Sequence, residues 1–130
     1  MRPTLPTLPR LLAAALMAAS PWALALDIQA FSAAALAQAQ QAGKPVAVHF
    51  HADWCPTCKL QEKSLALLKA EPGLDITVLV ADYDKEKDLK KLMKVRTQST
   101  LVVFRGNDEK SRLAGDTSAD KIRTALKAAL

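Results

Sequence analysis

From residue 26 onward, short apolar runs alternate with segments whose apolar positions recur every three or four residues, the pattern of strands alternating with helices. Val46-Ala47-Val48-His49-Phe50-His51 is a mostly apolar run opened by Pro45, as a strand buried in the middle of a sheet requires. Ile76 to Ala81 predicts a second buried strand, and Thr100-Leu101-Val102-Val103-Phe104 a third. Gly106-Asn107-Asp108 turns the third into a short fourth, Lys110 to Leu113, and Asp27 to Phe31 reads as a short edge strand. Ser32 is placed to N-cap a helix over Ala33 to Gln41, closed by Gly43 and Pro45. A second helix is predicted from Cys55 to about Ala70, with Leu60, Ser64, Leu67 and Leu68 on its inner face and Glu71-Pro72-Gly73 as its stop. Asp84 to Lys94 predicts a charged helix with Leu89, Leu92 and Met93 as its apolar side and its lysines solvated. Thr117-Ser118-Ala119-Asp120 has capping-box spacing and opens the last helix, whose buried stripe is Ile122, Ala125, Leu126 and Ala129.

A chain of 130 residues makes one domain, and with half its residues hydrophobic it has a core to bury. There are no internal repeats, low-complexity tracts or linkers. Residues 1–25 read as a secretory signal peptide. Arg2 and Arg10 make the basic start, Leu11 to Ala19 is a short apolar core, and Ala23-Leu24-Ala25 supplies small residues for cleavage. That core is too short to span a bilayer, which needs about 20 apolar residues, so a cleaved leader is expected over an anchor. The domain is then 26–130, soluble and periplasmic. Without Arg2 and Arg10, sixteen Lys and Arg face thirteen Asp and Glu, and the formal charge drops from +5 to +3. These charges are interspersed, which gives nucleic-acid binding no footing.

The candidate chemistry is Trp54-Cys55-Pro56-Thr57-Cys58, which holds the only two cysteines, at the junction of a strand and a helix. Residues three apart share one face of a helix's first turn, so the two sulfurs can meet. Unpaired N–H groups and the partial positive charge of the helix start favour a thiolate there. Cys55 is therefore expected to be the exposed nucleophile, and Cys58, one turn in, the buried resolving thiol. A structural disulfide or half of a zinc site is the competing reading of a bare C-x-x-C. The strand before it, the Trp and the helix after it favour thiol–disulfide exchange.

Ala42 to Val46, Ala52 to Lys59, and Thr100-Leu101 with Phe104 and Gly106 together resemble a thioredoxin-fold protein over essentially the whole mature chain. The stretch Ala52 to Lys63, with Cys55, Cys58, Lys59, Glu62 and Lys63, is especially similar to the C-terminal domain of DsbD-type transmembrane reductases. The resemblance implies an α/β fold with a central four- to five-stranded mixed sheet flanked by helices. It also implies a thiol–disulfide oxidoreductase without a cofactor, acting as a monomer on protein thiols and disulfides. A membrane reductase of the DsbD or CcdA kind would be its electron donor. Trp54 would shield the site, and Ser99 with Thr100 would form the loop facing the sulfurs.

Three positions depart from that pattern. Where the family carries a cis-proline before a Thr-Leu pair, this chain has Ser99. A non-proline cis bond costs about 2.5–4 kcal/mol, so a trans bond and a repacked loop are expected, with space opened beside Cys55. The buried carboxylate that helps the resolving cysteine lose its proton aligns with His49, an imidazole able to accept one near neutral pH. His51 stands where an aromatic residue is usual. Two apart on a strand, His49 and His51 point to one face. If that face meets the dithiol, His49, His51, Cys55 and Cys58 form a donor set for zinc or copper, and the alternative function is a metal carrier. Pro56-Thr57 between the cysteines lacks the basic side chain of strong oxidants, which implies an intermediate potential. Lys59 either adds positive potential near the thiolate or lies exposed on the helix.

Overall fold

In a computed structural model of the chain, which describes residues 25–130, nine elements alternate in the order the hydrophobic pattern predicts. They are β1 (Asp27–Ala30), α1 (Ala33–Gln41), β2 (Pro45–His51), α2 (Pro56–Leu68), β3 (Thr77–Asp82), α3 (Lys87–Leu92), β4 (Thr100–Arg105), β5 (Asp108–Ala114) and α4 (Ala119–Lys127). The expected leader lies outside the described residues, apart from its last position. Among the described residues no helix is long and apolar enough to cross a membrane.

The strands form one sheet in the order β1-β3-β2-β4-β5. β2 sits at its centre, parallel to β3 and antiparallel to β4. β4 and β5 join through Gly106-Asn107. Gly106 takes the positive φ, +58°, that a two-residue hairpin wants at its first loop position. Successive β2 side chains serve opposite faces. Val46, Val48 and Phe50 pack with Leu36, Leu89 and Met93 on the α1/α3 side. Ala47 packs with Leu65, Leu68, Ile122 and Leu126 on the α2/α4 side. His49 and His51 share Ala47's face and so point toward α2.

Two helix faces differ from the sequence expectation. On α2 the buried stripe is Cys58, Gln61, Leu65 and Leu68, while Leu60 and Leu67 are exposed and Ser64 is half-buried. Helical spacing counted from Leu60 ran through the wrong rows, because the first turn is fixed by the need to bury Cys58. On α3 the helix is two turns at most, and Leu92 is 77% exposed while Leu89 and Met93 are buried. α4 buries Ile122, Ala125 and Leu126 as expected, with Ala129 buried just beyond its end, but its N-cap is Ser118 with no side-chain capping bond, so the capping box does not close. Ser32 does cap α1, its hydroxyl accepting from the Ala35 N–H at 3.1 Å.

Candidate functional site

β2 ends at His51, and a short turn over 52–55 carries the chain onto α2. The Cys55 N–H donates to the Ala52 carbonyl at 3.1 Å within that turn. Cys55 is the helix N-cap, in extended backbone with φ −94°, and Pro56 fills the first helical position, where no N–H is needed. A cap must accept from the exposed N–H groups of the first turn, and here the acceptor is sulfur: Cys55 Sγ takes the Cys58 N–H at 3.1 Å. Both thiols are free.

The two sulfurs are unequal. Burial pushes the Cys55 thiol up, but hydrogen bonds from the Cys58 thiol, the Ser99 hydroxyl and the N–H groups of Cys58 and Thr57 outweigh it, and its pKa falls below the ordinary value. Burial raises that of Cys58, and its donation to Cys55 raises it further, while the Ser99 hydroxyl and the Ala52 backbone oppose. The lowered pKa thus falls on Cys55, the sulfur expected from its place at the helix start to be the nucleophile. Its expected exposure is not found: Cys55 is 1% and Cys58 0% exposed. Both pack with Ala52, and Tyr83 lies against them.

Ser99 also lies against both sulfurs. Among the described residues no peptide bond is cis, so the Gln98–Ser99 bond is trans, and Ser99 takes a left-handed φ of +61° instead. That conformation is uncommon for a residue with a Cβ, and two backbone bonds and one from a side chain hold it. The Ser99 N–H donates to the Phe50 carbonyl at 3.0 Å, and the Ser99 carbonyl accepts from the Gly115 N–H at 3.0 Å and from Gln61 Nε2 at 2.9 Å. The side chain then points inward, with Oγ 3.2 Å from Cys55 Sγ and 3.2 Å from Cys58 Sγ. The space expected beside Cys55 is filled by a hydroxyl.

Gln61 was not predicted as a site residue. Its Nε2 donates to the carbonyls of Ser99 and Asp116, at 2.9 and 2.8 Å, so both amide hydrogens are used. Its Oε1 must therefore accept from His49 Nε2, at 2.8 Å, which places a proton on that nitrogen. Burial pushes His49 down to about 4, the bond to Gln61 opposing. With Nε2 a donor, the proton-accepting role expected for His49 would fall to Nδ1, and no hydrogen bond joins His49 to either sulfur. The signal in the sequence was position: Gln61 lies three residues beyond Cys58, on the same helix face.

The four proposed metal donors do not gather. His49 Nε2 is committed to Gln61, and His51, its ring centroid 5.8 Å from that of His49, faces Glu62 and Asp53 at 3.6 and 3.8 Å. Among the described residues no group of three or more His, Cys, Asp or Glu side chains is arranged to hold a metal ion.

The family model described as Thioredoxin matches residues 27–128. The chain belongs to the thioredoxin family. It is 35% identical over 78 residues to thioredoxin-1 of Drosophila yakuba, covering 60% of this chain and 70% of that protein. It is 34% identical over 73 residues to a thiol:disulfide interchange protein TxlA homolog of Synechocystis, covering 56% of this chain and 41% of that protein. The chain thus spans less than half the length of that relative. Among solved structures, Trxlp from Edwardsiella tarda EIB202 aligns with a TM-score of 0.72 at 36% identity, covering 77% of this chain and 98% of that one. Thioredoxin NaTrxh from Nicotiana alata, at 21% identity and a TM-score of 0.67, shares the fold.

The five-stranded mixed sheet flanked by helices is the thioredoxin fold, as the resemblance implied. Cys55 and Cys58 are the Cys-x-x-Cys pair of a thioredoxin-family thiol–disulfide oxidoreductase. On this thioredoxin scaffold Trp54 remains 59% exposed, and its indole N–H donates to Asp84 Oδ2 at 2.7 Å, which ties the ring to the turn after β3. Thr100 is buried and donates to the Thr97 carbonyl at 2.7 Å. It shapes the loop that presents Ser99, while the hydroxyl that meets the sulfurs is that of Ser99. Lys59 lies exposed on α2.

Proposed function

We propose that the chain is an exported thioredoxin-family reductant that reduces disulfides in periplasmic proteins and is recharged by a membrane reductase of the DsbD or CcdA kind. The observation that carries the exchange chemistry is the polarised pair: Cys55 Sγ receives the Cys58 N–H at 3.1 Å and the Ser99 hydroxyl at 3.2 Å, beside a second thiol whose pKa burial raises. The Cys55 thiolate attacks one sulfur of a substrate disulfide, forming a mixed disulfide and releasing the other sulfur as a thiolate. Cys58 then attacks Cys55 Sγ, the mixed disulfide breaks, and the second substrate thiol departs. Two electrons have passed from the protein dithiol to the substrate. Export rests on the basic start, short apolar core and Ala23-Leu24-Ala25 of the leader. A monomer suffices for this cycle, since both sulfurs come from one chain.

The test is trapping in cells with a Cys58→Ser variant, which stalls the cycle at the mixed disulfide. Recovery of periplasmic substrates joined to Cys55, and of a membrane reductase joined to the same sulfur, supports the reading. Mixed disulfides formed only with cytosolic proteins would refute the export half, and none at all would refute the exchange half.

A further inference from the structure

Resolution of the mixed disulfide needs Cys58 to lose its proton, and the departing substrate thiolate needs to gain one. Among the described residues, the expected base makes no hydrogen bond to Cys58. His49 is neutral, with its Nε2 hydrogen donated to Gln61, and Gln61 is an amide with both amide hydrogens in use. Among the described residues, and apart from Cys55 itself, the groups that hydrogen-bond Cys58 Sγ through a side chain or carbonyl are the Phe50 carbonyl at 3.9 Å and the Ser99 hydroxyl at 3.2 Å. A carbonyl cannot pass a proton on. The hydroxyl can accept one and donate another. It is also 3.2 Å from Cys55 Sγ, and a sulfur bonded to Cys55 lies only about 2 Å beyond it. Ser99 is 2% exposed, and its left-handed backbone is tied at both N–H and C=O, so the hydroxyl is held between the two sulfurs without solvent.

Resting on the dithiol reading above, we propose that Ser99 is a catalytic residue of the resolution step, its hydroxyl relaying the proton of Cys58 to the departing substrate sulfur. Cys58 S–H gives its proton to Ser99 Oγ as the hydroxyl's own proton passes to the substrate sulfur. The Cys58 electron pair forms the bond to Cys55 Sγ. The bond from Cys55 to the substrate sulfur breaks, and its pair leaves on that sulfur, which takes the relayed proton. The dithiol is oxidised, the substrate disulfide is reduced, and Ser99 ends as it began. The serine in place of proline thus supplies the proton path that a buried carboxylate would otherwise provide.

The experiment follows release from mixed disulfides on Cys55 by rapid mixing, using two leaving groups. A cysteine peptide leaves as a basic alkyl thiolate that needs the proton; thionitrobenzoate is acidic and leaves without one. Ser99→Gly removes the hydroxyl and accepts the backbone conformation, and Ser99→Ala removes it with the Cβ retained. Both should slow release of the peptide by about 100-fold, the usual scale of a lost general acid–base group, and leave release of thionitrobenzoate nearly unchanged. The peptide step should also lose its solvent deuterium isotope effect. Equal slowing of both leaving groups would assign Ser99 a purely structural part, and no slowing of either would remove it from the step; each overturns the relay. Failure of the unsubstituted protein to release either group would overturn the exchange reading itself.

Discussion

Gln61 donates to the carbonyl of Ser99 at 2.9 Å, so the helix that carries Cys58 also holds the loop that faces it. The same amide reaches the Asp116 carbonyl and accepts from His49, which ties β2, α2, the Ser99 loop and the β5–α4 connection at one buried point. Gln61→Leu should therefore cost about 2–3 kcal/mol in urea unfolding, since His49 Nε2 and the Asp116 carbonyl lose their partner while Ser99 keeps the Gly115 bond. A loss under about 0.5 kcal/mol, the usual size of a surface change, would show that the network is not structural.

Restoring the family's proline should harm this protein. Ser99 has φ +61°, where proline requires about −65°, and its N–H is spent on the Phe50 carbonyl. Ser99→Pro should destabilise the fold by roughly 3 kcal/mol or more and slow exchange, while Ser99→Gly stays close to the unsubstituted stability. Thermal and denaturant unfolding of the two variants, side by side, decide the matter. A proline variant as stable as the parent would mean the loop can take the family's geometry.

The strands were legible because β2, β3 and β4 are buried on both faces and read as continuous apolar runs. The dithiol was legible because a cap, a proline and a helix start sit in five consecutive residues. What escaped was side-chain direction. Leu60 and Leu67 fit helical spacing as well as Gln61 and Leu65 do, and only the burial of Cys58 selects the second row. The filled space at Ser99 escaped for a different reason. A missing proline ring suggests an opening, and a left-handed serine that turns its hydroxyl onto two sulfurs depends on bonds to Phe50, Gln61 and Gly115, far away in sequence.

His49 should make the fold acid-sensitive. Unfolded, its imidazole takes up a proton near 6.5; folded, burial delays this to about 4. The unfolded chain thus binds more protons between those values, and stability falls as pH drops through them. The contribution is absent above the unfolded value and approaches a loss of about 3 kcal/mol below pH 4. Glu71 and Asp82, held below the ordinary carboxylate range chiefly by the hydrogen bond from Arg123 and by the Lys85 N–H respectively, act in the same direction. Urea titrations at pH 7 and 4.5 should therefore be compared between the parent and His49→Leu. The variant, whatever its own stability, should lose about 2–3 kcal/mol less over that interval. Equal losses in both would mean that His49 is charged, or solvated, in the folded protein.

A nucleophile that is 1% exposed must be uncovered before a protein disulfide can reach it. Ser99 and Tyr83 lie against it, and neither belongs to α2, so the sulfur can be freed by a transient movement of these neighbours with its helix intact, Ser99 returning onto the sulfurs once the mixed disulfide has formed. Small and bulky reagents should then differ at Cys55. With a Cys58→Ser background to isolate that sulfur, the ratio of alkylation rates for iodoacetamide and a bulky maleimide should exceed the same ratio for glutathione by about tenfold, equivalent to about 1.4 kcal/mol of loop displacement. Taking a ratio removes the thiolate fraction, which both reagents share. Adding Ser99→Gly thins the cover and should bring the ratio back toward that of glutathione. If the parent ratio already equals that of glutathione, Cys55 is open in solution, and its reactivity is set by the hydrogen bonds to its sulfur alone.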